Sequence, residues 1–398
     1  MKRKIAVVGG GASGLMAAIS AARSGAQVTI YERMDRVGKK ILATGNGRCN
    51  LTNRYAQIQK YHGKNPHFLH SAISRFWVQE TLDFFLELGI VAKEEEQGKI
   101  YPYSGQASAV LDVLRFETER LGVQTVCNFE VKKLIPKKQG FQIESYQGEA
   151  AFADYVILSA GGKAAPNLGS NGSGYEICKQ LGHHITKLSP SLVQLRCENT
   201  KSMQGMNMDA CVRIGQKAES QGELLFTDYG LSGPPIFDLS AKRPEFPFTV
   251  SVDLMPEYSL EEIKNILAKR KHGTLEQYMI GILPKKMGQS LLKSAGFAPL
   301  SRRADSLLEE EIQRIAYKIK HWDFIATDTL SWNNAQVTAG GVLCSEVNPS
   351  SMESKLVPGV YLTGELLDID GDCGGFNLQW AWTSGFLAGV HAAERRMQ

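Results

Sequence analysis

Three features are missing from this sequence, and each absence argues against a class of protein. No run of about 18 uninterrupted apolar residues occurs, so the sequence predicts no transmembrane helix. The seven cysteines are scattered and lack a C-x-x-C spacing, which argues against a zinc knuckle or a dithiol redox pair. The net charge of +4 over 398 residues is too small to indicate nucleic acid or a membrane surface by itself. We therefore expect a cytoplasmic protein with neither a membrane nor a nucleic-acid partner.

What the sequence does contain is a dinucleotide-binding pattern in its first 33 residues. Residues 4–8 are apolar and predict a buried strand, and residues 9–14 fit the spacing G-x-G-x-x-G. A helix rich in small residues follows, and a second strand at 28–32 ends on Glu32. The order of strand, tight turn, helix, strand and acid is typical of dinucleotide-binding folds, whereas a glycine triplet alone is typical of any Gly-rich turn.

Each part of this pattern has an expected physical role. Gly9 makes the turn, Gly11 lets the backbone approach a pyrophosphate, and Gly14 permits close packing of the helix. The helix N-terminus attracts phosphate charge. Glu32 can accept hydrogen bonds from the ribose hydroxyls of an adenosine.

A long segment at 38–53, dense in Gly, Asn and Thr, follows this acid. Because the chain leaves the second strand beside the bound adenosine, we expect the segment to run along an extended cofactor. Its backbone amides and the side chains of Lys39, Lys40 and Arg48 could then meet the pyrophosphate or a flavin. The alternative is a solvated loop, although long loops rich in backbone donors are more often functional.

The next part of the chain predicts helices and then strands. Residues 66–122 have mainly helical spacing, and 123–134 predicts one strand. Residues 155–160 are apolar, as a central parallel strand would be, and end on Gly161 and Gly162. The pair His183 and His184 resembles a metal site, but no acid lies nearby in the sequence, so we expect a turn after a helix.

Between residues 190 and 340 the pattern changes to short β-like runs, which predict a small antiparallel barrel or sandwich. A helical insert at about 258–322 interrupts it, and residues 259–320 carry twelve Lys or Arg against seven Asp or Glu. This excess indicates either a solvated helical face or a weak polyanion-binding surface.

The last sixty residues return to the α/β pattern. Residues 358–365 predict a strand ending on Gly364 and Glu365, and a glycine-rich stretch from 368 leads into a helix ending near 394. Glu365 can accept hydrogen bonds from ribityl hydroxyls. The helix start at 375–378 would stabilise the negative charge that a reduced flavin carries at its N1–C2=O edge.

Together these motifs resemble the FAD flavoproteins with two dinucleotide-binding motifs. The strand end at 159–162 is similar to the Ala-Thr-Gly type motif of that class. More specifically, the stretches at 38–53, 222–234, 352–359 and 374–382 resemble the BaiN/YhiN flavoprotein family over nearly the whole chain. Many relatives have His where this chain has Asp228, so no catalytic role of that His carries over.

The resemblance implies an α/β fold: a Rossmann-like FAD-binding domain interrupted by a β-barrel-like domain with the helical insert. The expected boundaries are 1–189 and 341–398 for the FAD domain and 190–340 for the inserted, substrate-side domain. The resemblance also implies that the backbone of Val131 bonds the adenine. No second Rossmann unit is evident, so NADH or NADPH would visit the open flavin face as a transient electron donor.

The leading hypothesis is an FAD-dependent oxidoreductase that passes hydride through flavin N5 to a small enone or steroid-like substrate, with NAD(P)H as donor. Relatives of the family also suggest an amine oxidase of the aminoacetone type that produces peroxide. A third hypothesis is a flavin-bound module that binds RNA or a protein through the basic insert.

The candidate site residues follow from these patterns and from the resemblance. For catalysis they are Asp228, Tyr229 and Cys49, with Tyr229 as a possible proton donor to an enolate and Cys49 as either a reactive or a packed thiol. The candidates for FAD binding are Gly9, Gly11, Ala12, Ser13, Gly14, Glu32, Arg33, Lys39, Lys40, Thr44, Gly45, Asn46, Arg48, Cys49, Asn50, Val131, Ala160, Gly161, Gly162, Gly364, Glu365, Asp370, Gly375, Asn377 and Leu378.

Overall fold

The computed structural model describes residues 2–215 and 218–395. The chain forms two compact units. The first comprises Met1–Pro190 and Ala335–Gln398, and the second comprises Ser191–Asn334. The chain therefore completes most of the first unit, builds the second, and returns to the first for its last 64 residues.

A five-stranded parallel sheet forms the centre of the first unit. Its strands lie in the order Val360–Leu362, Tyr155–Leu158, Lys4–Val8, Gln27–Tyr31 and Gln124–Val126. Lys4–Val8 lies in the middle, with Ile5 opposite both Tyr155 and Val28. Four of its five residues are buried, as expected for a parallel strand with both faces of the sheet covered.

Two helices of the first unit pack closely against each other, Ala12–Arg23 and Phe376–Glu394. Glycines of the second helix make this approach possible. A Cβ added to Gly385 would collide with the carbonyl oxygen of Ser13, and one added to Gly389 with that of Ala17. The first and last segments of the chain are thus held together by backbone contact.

The other elements of the first unit surround this core. Its further helices are Lys39–Ala43, His70–Ile73, Val78–Glu87, Ala107–Arg120 and Ser173–Gln180. Small antiparallel sheets join Val131–Pro136 with Phe141–Ser145 and Ala150–Ala153, Lys99–Pro102 with Thr52–Asn53 and Ala92–Glu94, and Tyr61–His62 with Asp370–Gly371. The strands Ser189–Ser191 and Val337–Ala339 lie where the chain leaves and re-enters this unit.

The second unit is a closed antiparallel barrel with added helices. The barrel order is Leu195–Cys197, Gly230–Ser232, Ala218–Phe226, Asn207–Ile214, Phe248–Asp253 and Trp322–Thr329. Buried aromatic rings fill it, with the Phe324 ring centroid 5.2 Å from that of Trp322 and 5.8 Å from that of Phe226. The helices are Pro234–Ala241, Leu260–Ala268, Leu275–Tyr278, Lys285–Ser294 and Glu309–Lys320. The predicted fold class is confirmed.

One prediction of secondary structure was wrong, and another was incomplete. Residues 123–134 do not form one strand: Gln124–Val126 ends the parallel sheet, and Val131–Pro136 starts a different, antiparallel sheet. The turn between them contains Asn128 in a left-handed conformation (φ 58°), which breaks the strand. The stretch 66–122 is only partly helical, because Ala92–Glu94 and Lys99–Pro102 form strands inside it.

The structure also bears on membrane-spanning helices, metal-binding clusters and cysteines. Within residues 2–215 and 218–395, no helix is long and apolar enough to cross a membrane. The same residues contain no group of three or more His, Cys, Asp or Glu side chains arranged to hold a metal ion. All seven cysteines belong to the described part of the chain and are free thiols.

We predict that Gly389→Ala destabilises the protein, because the new methyl group would push the two helices apart. Overpacking of this kind costs roughly 1–3 kcal/mol, more than the gain in helix propensity from replacing glycine. Urea unfolding of the purified protein measures the change. Ser108→Ala, at an exposed position of the helix Ala107–Arg120, is the control and should stay within about 0.5 kcal/mol. An unchanged midpoint for Gly389→Ala would contradict the proposed helix contact.

Candidate functional site

The glycine turn after the first strand leaves room for a ligand at the start of a helix. Gly9 has a left-handed φ of 101°, and a Cβ on Gly14 would collide with the Gly9 carbonyl oxygen. A Cβ on Gly11 would meet nothing within 4 Å, so this backbone faces open space. Gly11 precedes the helix Ala12–Arg23, and no side chain caps the free N–H groups there. These groups can bind an anion.

Glu32 at the end of the second strand holds the turn in place. One carboxylate oxygen accepts the N–H of Gly10 at 2.7 Å and the other accepts the N–H of Met34 at 2.8 Å. The residue is 8% exposed, and charge-assisted hydrogen bonds of this kind are strong. Sequence reasoning gave Glu32 a role toward ribose only. In the structure it also positions the backbone of the glycine turn.

A pocket lies at the edge of the parallel sheet next to Glu32. Arg33 crosses it, with its Nη1 3.4 Å from the carbonyl oxygen of Gly169 and its Nε 3.3 Å from a carboxylate oxygen of Glu130. The candidate residues Gly9, Glu32, Arg33, Val131 and Ala160 thus come together from four separate segments. The lining residues are Val8, Gly9, Tyr31, Glu32, Arg33, Phe129, Glu130, Val131, Ala160, Gly169, Ser173 and Ile177.

Beyond this pocket, an ion pair joins the predicted cofactor loop to the C-terminal motif. Lys40 Nζ lies 2.8 Å from Glu365 Oε2 and 3.2 Å from the carbonyl oxygen of Ala164. The other oxygen of Glu365 accepts the N–H of Thr338 at 2.8 Å. Gly162 lies against this carboxylate, since an added Cβ would be 2.5 Å from Glu365 Oε1.

Two predicted FAD-binding glycines, Gly161 and Gly364, are close in sequence to the residues of this ion pair and its neighbour Gly162. Gly161 and Gly364 both have left-handed φ values, 70° and 64°, and a Cβ on Gly364 would lie 2.8 Å from Ser13 Oγ. The C-terminal motif therefore touches the first residues of the glycine-turn helix. Lys39, in contrast, points to an exposed ion pair with Asp35, with 2.5 Å between Nζ and Oδ1.

Residues 44–50 form a compact loop with an unusual backbone. Gly45, Asn46, Gly47 and Cys49 have φ values of 56°, 54°, 82° and 60°. Left-handed conformations are costly for residues other than glycine and cluster at ligand sites. Thr44 secures the loop, because its hydroxyl donates to the Ile41 carbonyl at 2.6 Å and its own carbonyl accepts the N–H of Cys49 at 3.0 Å.

The start of the last helix lies directly against this part of the chain. Gly375 precedes the helix with a φ of 99° and no side-chain cap. A Cβ there would lie 2.5 Å from the Thr52 carbonyl oxygen and 2.8 Å from Asn50 Oδ1. Asn53 Nδ2 donates to the Gly374 carbonyl at 2.8 Å. This second uncapped helix end is therefore held beside the 44–50 loop.

Asn377 closes the turn that enters this helix. Its side-chain oxygen accepts the N–H of Gly371 and its Nδ2 donates to the carbonyl of Gly371, both at 2.8 Å. Asp370, buried in the same turn, lies opposite His62 in a short antiparallel ladder. Leu378 in the first turn of the helix is partly exposed. The turn is thus held by contacts within the chain itself.

Cys49 is poorly suited to nucleophilic chemistry. The residue has no exposed surface, and burial raises the pKa of its thiol to about 12. Only the thiolate is a good nucleophile. We therefore assign Cys49 a packing and backbone role in the 44–50 loop.

The other two catalytic candidates, Asp228 and Tyr229, lie in the second unit. They form the turn between the strands Ala218–Phe226 and Gly230–Ser232, where Thr227 N–H donates to the Gly230 carbonyl at 2.9 Å. The Asp228 side chain is exposed and Tyr229 is half-buried. Their catalytic roles stay predictions from the sequence.

Sequence reasoning missed two arrangements that join distant segments. One is Glu346, which lies far away in the sequence and contacts the imidazoles of both His183 and His184, at 3.0 Å and 2.6 Å. The pair itself follows the helix Ser173–Gln180 and a turn, as expected. The other is Tyr101, whose ring lies 4.1 Å below the Arg48 guanidinium carbon. Its strand is too short to show a periodic pattern, so only the structure reveals it.

An extended dinucleotide fits this series of features. The pocket at Glu32 suits an adenosine, the open helix start at Gly11 suits a pyrophosphate, and the uncapped helix start at Gly375 suits a flavin ring with negative charge. All of them belong to the first unit.

We predict that Glu32→Ala weakens FAD binding, because the turn loses two hydrogen bonds and the ribose loses an acceptor. Hydrogen bonds to charged groups contribute about 1.5–3 kcal/mol, so the Kd should rise at least roughly tenfold. Titration of the apoprotein with FAD, followed by flavin fluorescence, measures this. Glu149→Ala, an exposed turn residue, should leave the Kd unchanged. Equal Kd values for both variants would contradict the assignment.

We also predict that Cys49 resists alkylation in the folded protein. With iodoacetamide at pH 8, peptide mass spectrometry should find modification at the partly exposed Cys127 well before Cys49. The same reagent should modify both after unfolding. Rapid selective modification of Cys49 in the native protein would restore the reactive-thiol hypothesis.

Comparison with known proteins agrees with this architecture. A family described as the HI0933-like protein Rossmann domain matches residues 3–391. The 3-dehydro-bile acid delta(4,6)-reductase of Clostridium scindens is 41% identical, covering 98% of this chain and 99% of that protein. The ribosomal RNA dihydrouridine synthase of Haemophilus influenzae is 29% identical, covering 96% of this chain and 97% of that protein.

Among solved structures, a 3-ketosteroid-delta4-(5alpha)-dehydrogenase from Rhodococcus jostii RHA1 matches with a TM-score of 0.51. Its sequence is 16% identical, over 99% of this chain and 97% of that one, so this likeness supports the fold alone. The family match extends through both parts of the first unit and through the second unit. The chain therefore belongs to the HI0933-like Rossmann family.

Proposed function

We propose that this FAD-dependent oxidoreductase saturates a carbon–carbon double bond that is conjugated to a carbonyl group. The names of two relatives that match nearly the whole chain support this reaction class. One is a delta(4,6)-reductase of 3-dehydro-bile acids, and the other makes dihydrouridine, which is uridine with its C5–C6 bond saturated. The two substrates differ greatly in size, but each name describes the addition of two hydrogens.

The observation that carries the proposal is the uncapped helix start at Gly375. It is fixed by contacts to Thr52 and Asn50 and by the Asn377 bonds to Gly371. Helix N-termini favour negative charge. A preformed positive end at this place would favour the reduced, anionic form of a flavin and so favour hydride donation.

The chain's own residues divide into three groups along the cofactor. Glu32, Arg33 and Val131 would hold the adenosine. Ser13, Lys40 and Gly364 would hold the middle of the molecule, and residues 44–50 with the turn at 375–378 would hold the ring system. When bound, FAD supplies reversible two-electron hydride chemistry.

We propose NADH or NADPH as the electron donor. The strand–glycine turn–helix unit at residues 4–32 would serve FAD, and no second such unit is evident in the sequence, so the nicotinamide nucleotide would bind transiently. The seven free thiols favour a reducing compartment such as the cytoplasm. A small conjugated ketone is the substrate that we favour, given the 41% identity to the bile acid reductase.

A second candidate substrate is a uridine in RNA, and a basic surface of the second unit favours it. On the helix Lys285–Ser294, Lys286 and Lys293 lie on the same face as Ser290. The Ser290 hydroxyl bonds that of Ser202 at 2.9 Å, which brings Lys201 beside them. Three exposed lysines on one surface could bind phosphates of a polynucleotide.

Anaerobic stopped-flow absorbance of the FAD-loaded protein tests the proposal. Mixing with NADH or NADPH should bleach the visible flavin band. A conjugated ketone or a uridine-containing RNA should then restore it, with formation of the saturated product. If RNA is the physiological substrate, its binding should weaken steeply with added salt. If a neutral ketone is the substrate, its binding should depend little on salt.

Two results would contradict the proposal. If neither NADH nor NADPH reduces the flavin, NAD(P)H is not the electron donor. Chemically reduced protein that is reoxidised by oxygen with peroxide formation, but by no conjugated carbonyl compound, would point instead to the amine oxidase hypothesis.

A further inference from the structure

Tyr101 lies next to the 44–50 loop, although nothing in the sequence links the two. It belongs to the strand Lys99–Pro102, which pairs with Thr52–Asn53 just after that loop. The neighbouring Ile100 bonds the loop from both sides: its N–H donates to Asn50 Oδ1 at 3.2 Å, and its carbonyl accepts the N–H of Leu51 at 2.8 Å. A Cβ on Gly45 would lie 3.2 Å from the Tyr101 ring.

The hydroxyl of Tyr101 is available for a ligand. In the described part of the chain it has no hydrogen-bond partner, although the side chain is half-buried. Two buried tyrosines of this unit differ, because Tyr61 donates to the Phe376 carbonyl at 3.0 Å and Tyr175 to the Glu365 carbonyl at 3.2 Å. The Tyr101 hydroxyl is not among the fully buried side-chain atoms without a partner, so solvent reaches it and a ligand that replaces water can take its hydrogen bond.

A cation is fixed over the same ring. The guanidinium carbon of Arg48 lies 4.1 Å from the Tyr101 ring centroid, and Arg48 Nη2 is 2.6 Å from Glu95 Oε1. Lys93 lies 3.8 Å from the same Glu95 oxygen. The aromatic ring and the carboxylate therefore both orient the Arg48 guanidinium.

Burial and the neighbouring charges both affect the pKa of the Tyr101 phenol. Burial is the largest cause and raises the pKa of Tyr101, with smaller contributions in the same direction from Glu95, Cys373 and Cys49, and Arg48 opposes them. The phenol therefore keeps its proton at neutral pH. The Arg48 cation would stabilise the phenolate once the proton has left.

We propose that the Tyr101 hydroxyl, supported by Arg48, is the catalytic group that donates a hydrogen bond and then a proton to the substrate. This inference rests on the proposed reduction of a conjugated double bond. Tyr101 lies on the strand that is tied through Thr52 and Asn50 to the helix start at Gly375, where the flavin ring would lie. Contacts within the first unit thus connect Tyr101 to the expected flavin site. Tyr229, the candidate from the sequence, belongs to the second unit.

The proposed reduction adds one hydride and one proton to the substrate. With FAD bound as the hydride source, a hydride would add to the β-carbon of the conjugated carbonyl compound. The electron pair of the C=C bond would form a new double bond between the α-carbon and the carbonyl carbon, and the π pair of the C=O bond would move onto the oxygen, which gives an enolate. The product then needs one proton. The O–H bond of Tyr101 breaks, a bond from that hydrogen to the enolate oxygen forms, and the electron pair of the broken bond stays on the phenol oxygen. The resulting enol then tautomerises to the saturated ketone by exchanging protons with water. Water then returns a proton to the phenolate.

The test compares Tyr101→Phe with Tyr103→Phe and with Tyr229→Phe. Tyr103 lies two residues further on, is 73% exposed and serves as the matched control. Each FAD-loaded protein is reduced chemically without oxygen and mixed with 4-androstene-3,17-dione, the steroid named with the Rhodococcus jostii structure, or with a uridine-containing RNA oligonucleotide. The rate of flavin reoxidation is recorded from pH 6 to pH 11.

We expect Tyr101→Phe to slow reoxidation by roughly 10²-fold or more, the usual contribution of a general acid, while flavin content and reduction by NAD(P)H stay unchanged. In the unaltered protein and in Tyr103→Phe, the rate should be constant at neutral pH and fall as alkaline pH removes the phenol proton. That fall should be absent in Tyr101→Phe.

A readout that does not depend on turnover separates donation from structural damage. Calorimetry with the corresponding saturated 3-ketone, which cannot react, should show roughly tenfold weaker binding to oxidised Tyr101→Phe, as for loss of about one hydrogen bond. Ultraviolet difference titration should show the loss of one high-pKa tyrosine in this variant.

The outcomes distinguish the inference from the proposed function. If the unaltered reduced protein is reoxidised by a probe and Tyr101→Phe matches it in rate and ketone affinity, the inference is wrong and the proposed function stands. The inference is also wrong, and the proposed function stands, if only Tyr229→Phe slows flavin reoxidation and abolishes the decrease of its rate at alkaline pH. If no probe reoxidises the unaltered protein, the proposed function fails and the inference fails with it.

Discussion

The close contact between the first and last helices is the constraint on which the rest of this structure depends. Gly385 and Gly389 place the backbone of Phe376–Glu394 against the carbonyl oxygens of Ser13 and Ala17. Both helices start at glycines, Gly11 and Gly375, without side-chain caps. Packing them together therefore fixes two positive helix ends in one unit, one where a pyrophosphate would lie and one where a flavin ring would lie.

The charged groups of the site act mainly on the backbone around the cofactor path. Both oxygens of Glu32 accept backbone N–H groups, and Glu365 joins Lys40 to the N–H of Thr338. Such bonds satisfy partly buried charges, which would otherwise be costly. They also hold the turns in position before a ligand arrives, so less ordering has to accompany binding. Arg48 is likewise oriented by contacts within the chain, an ion pair with Glu95 and the ring of Tyr101.

The parts of the fold predicted correctly were those with local signals. The strand, glycine turn and helix of the first 23 residues depend on spacing alone, and the last helix was visible from its glycine-rich entry and its apolar length. The α/β class with an antiparallel barrel followed from the same patterns together with the family resemblance. In contrast, the three-residue strand Gln124–Val126 and the strand Lys99–Pro102 are stabilised by pairing with distant segments. Short strands of this kind carry no periodic signal.

The site shows the same division between local and long-range information. The residues of the glycine turn could be selected by position in a motif, but the second role of Glu32 depends on the N–H of Gly10, 22 residues earlier. Glu346 reaches His183 across 163 residues, and Tyr101 meets Arg48 through sheet pairing. Contacts of this type arise from tertiary packing and cannot be derived from one sequence by spacing.

The most direct test of the central claim is a crystal structure of the protein with FAD bound. We predict the adenosine in the pocket beside Glu32, the pyrophosphate at the helix start after Gly11, and the isoalloxazine ring between residues 44–50 and the helix start at Gly375. Tyr101 should then border the substrate side of the ring. A ring bound elsewhere in the chain, or purified protein that cannot take up FAD at all, would contradict the account.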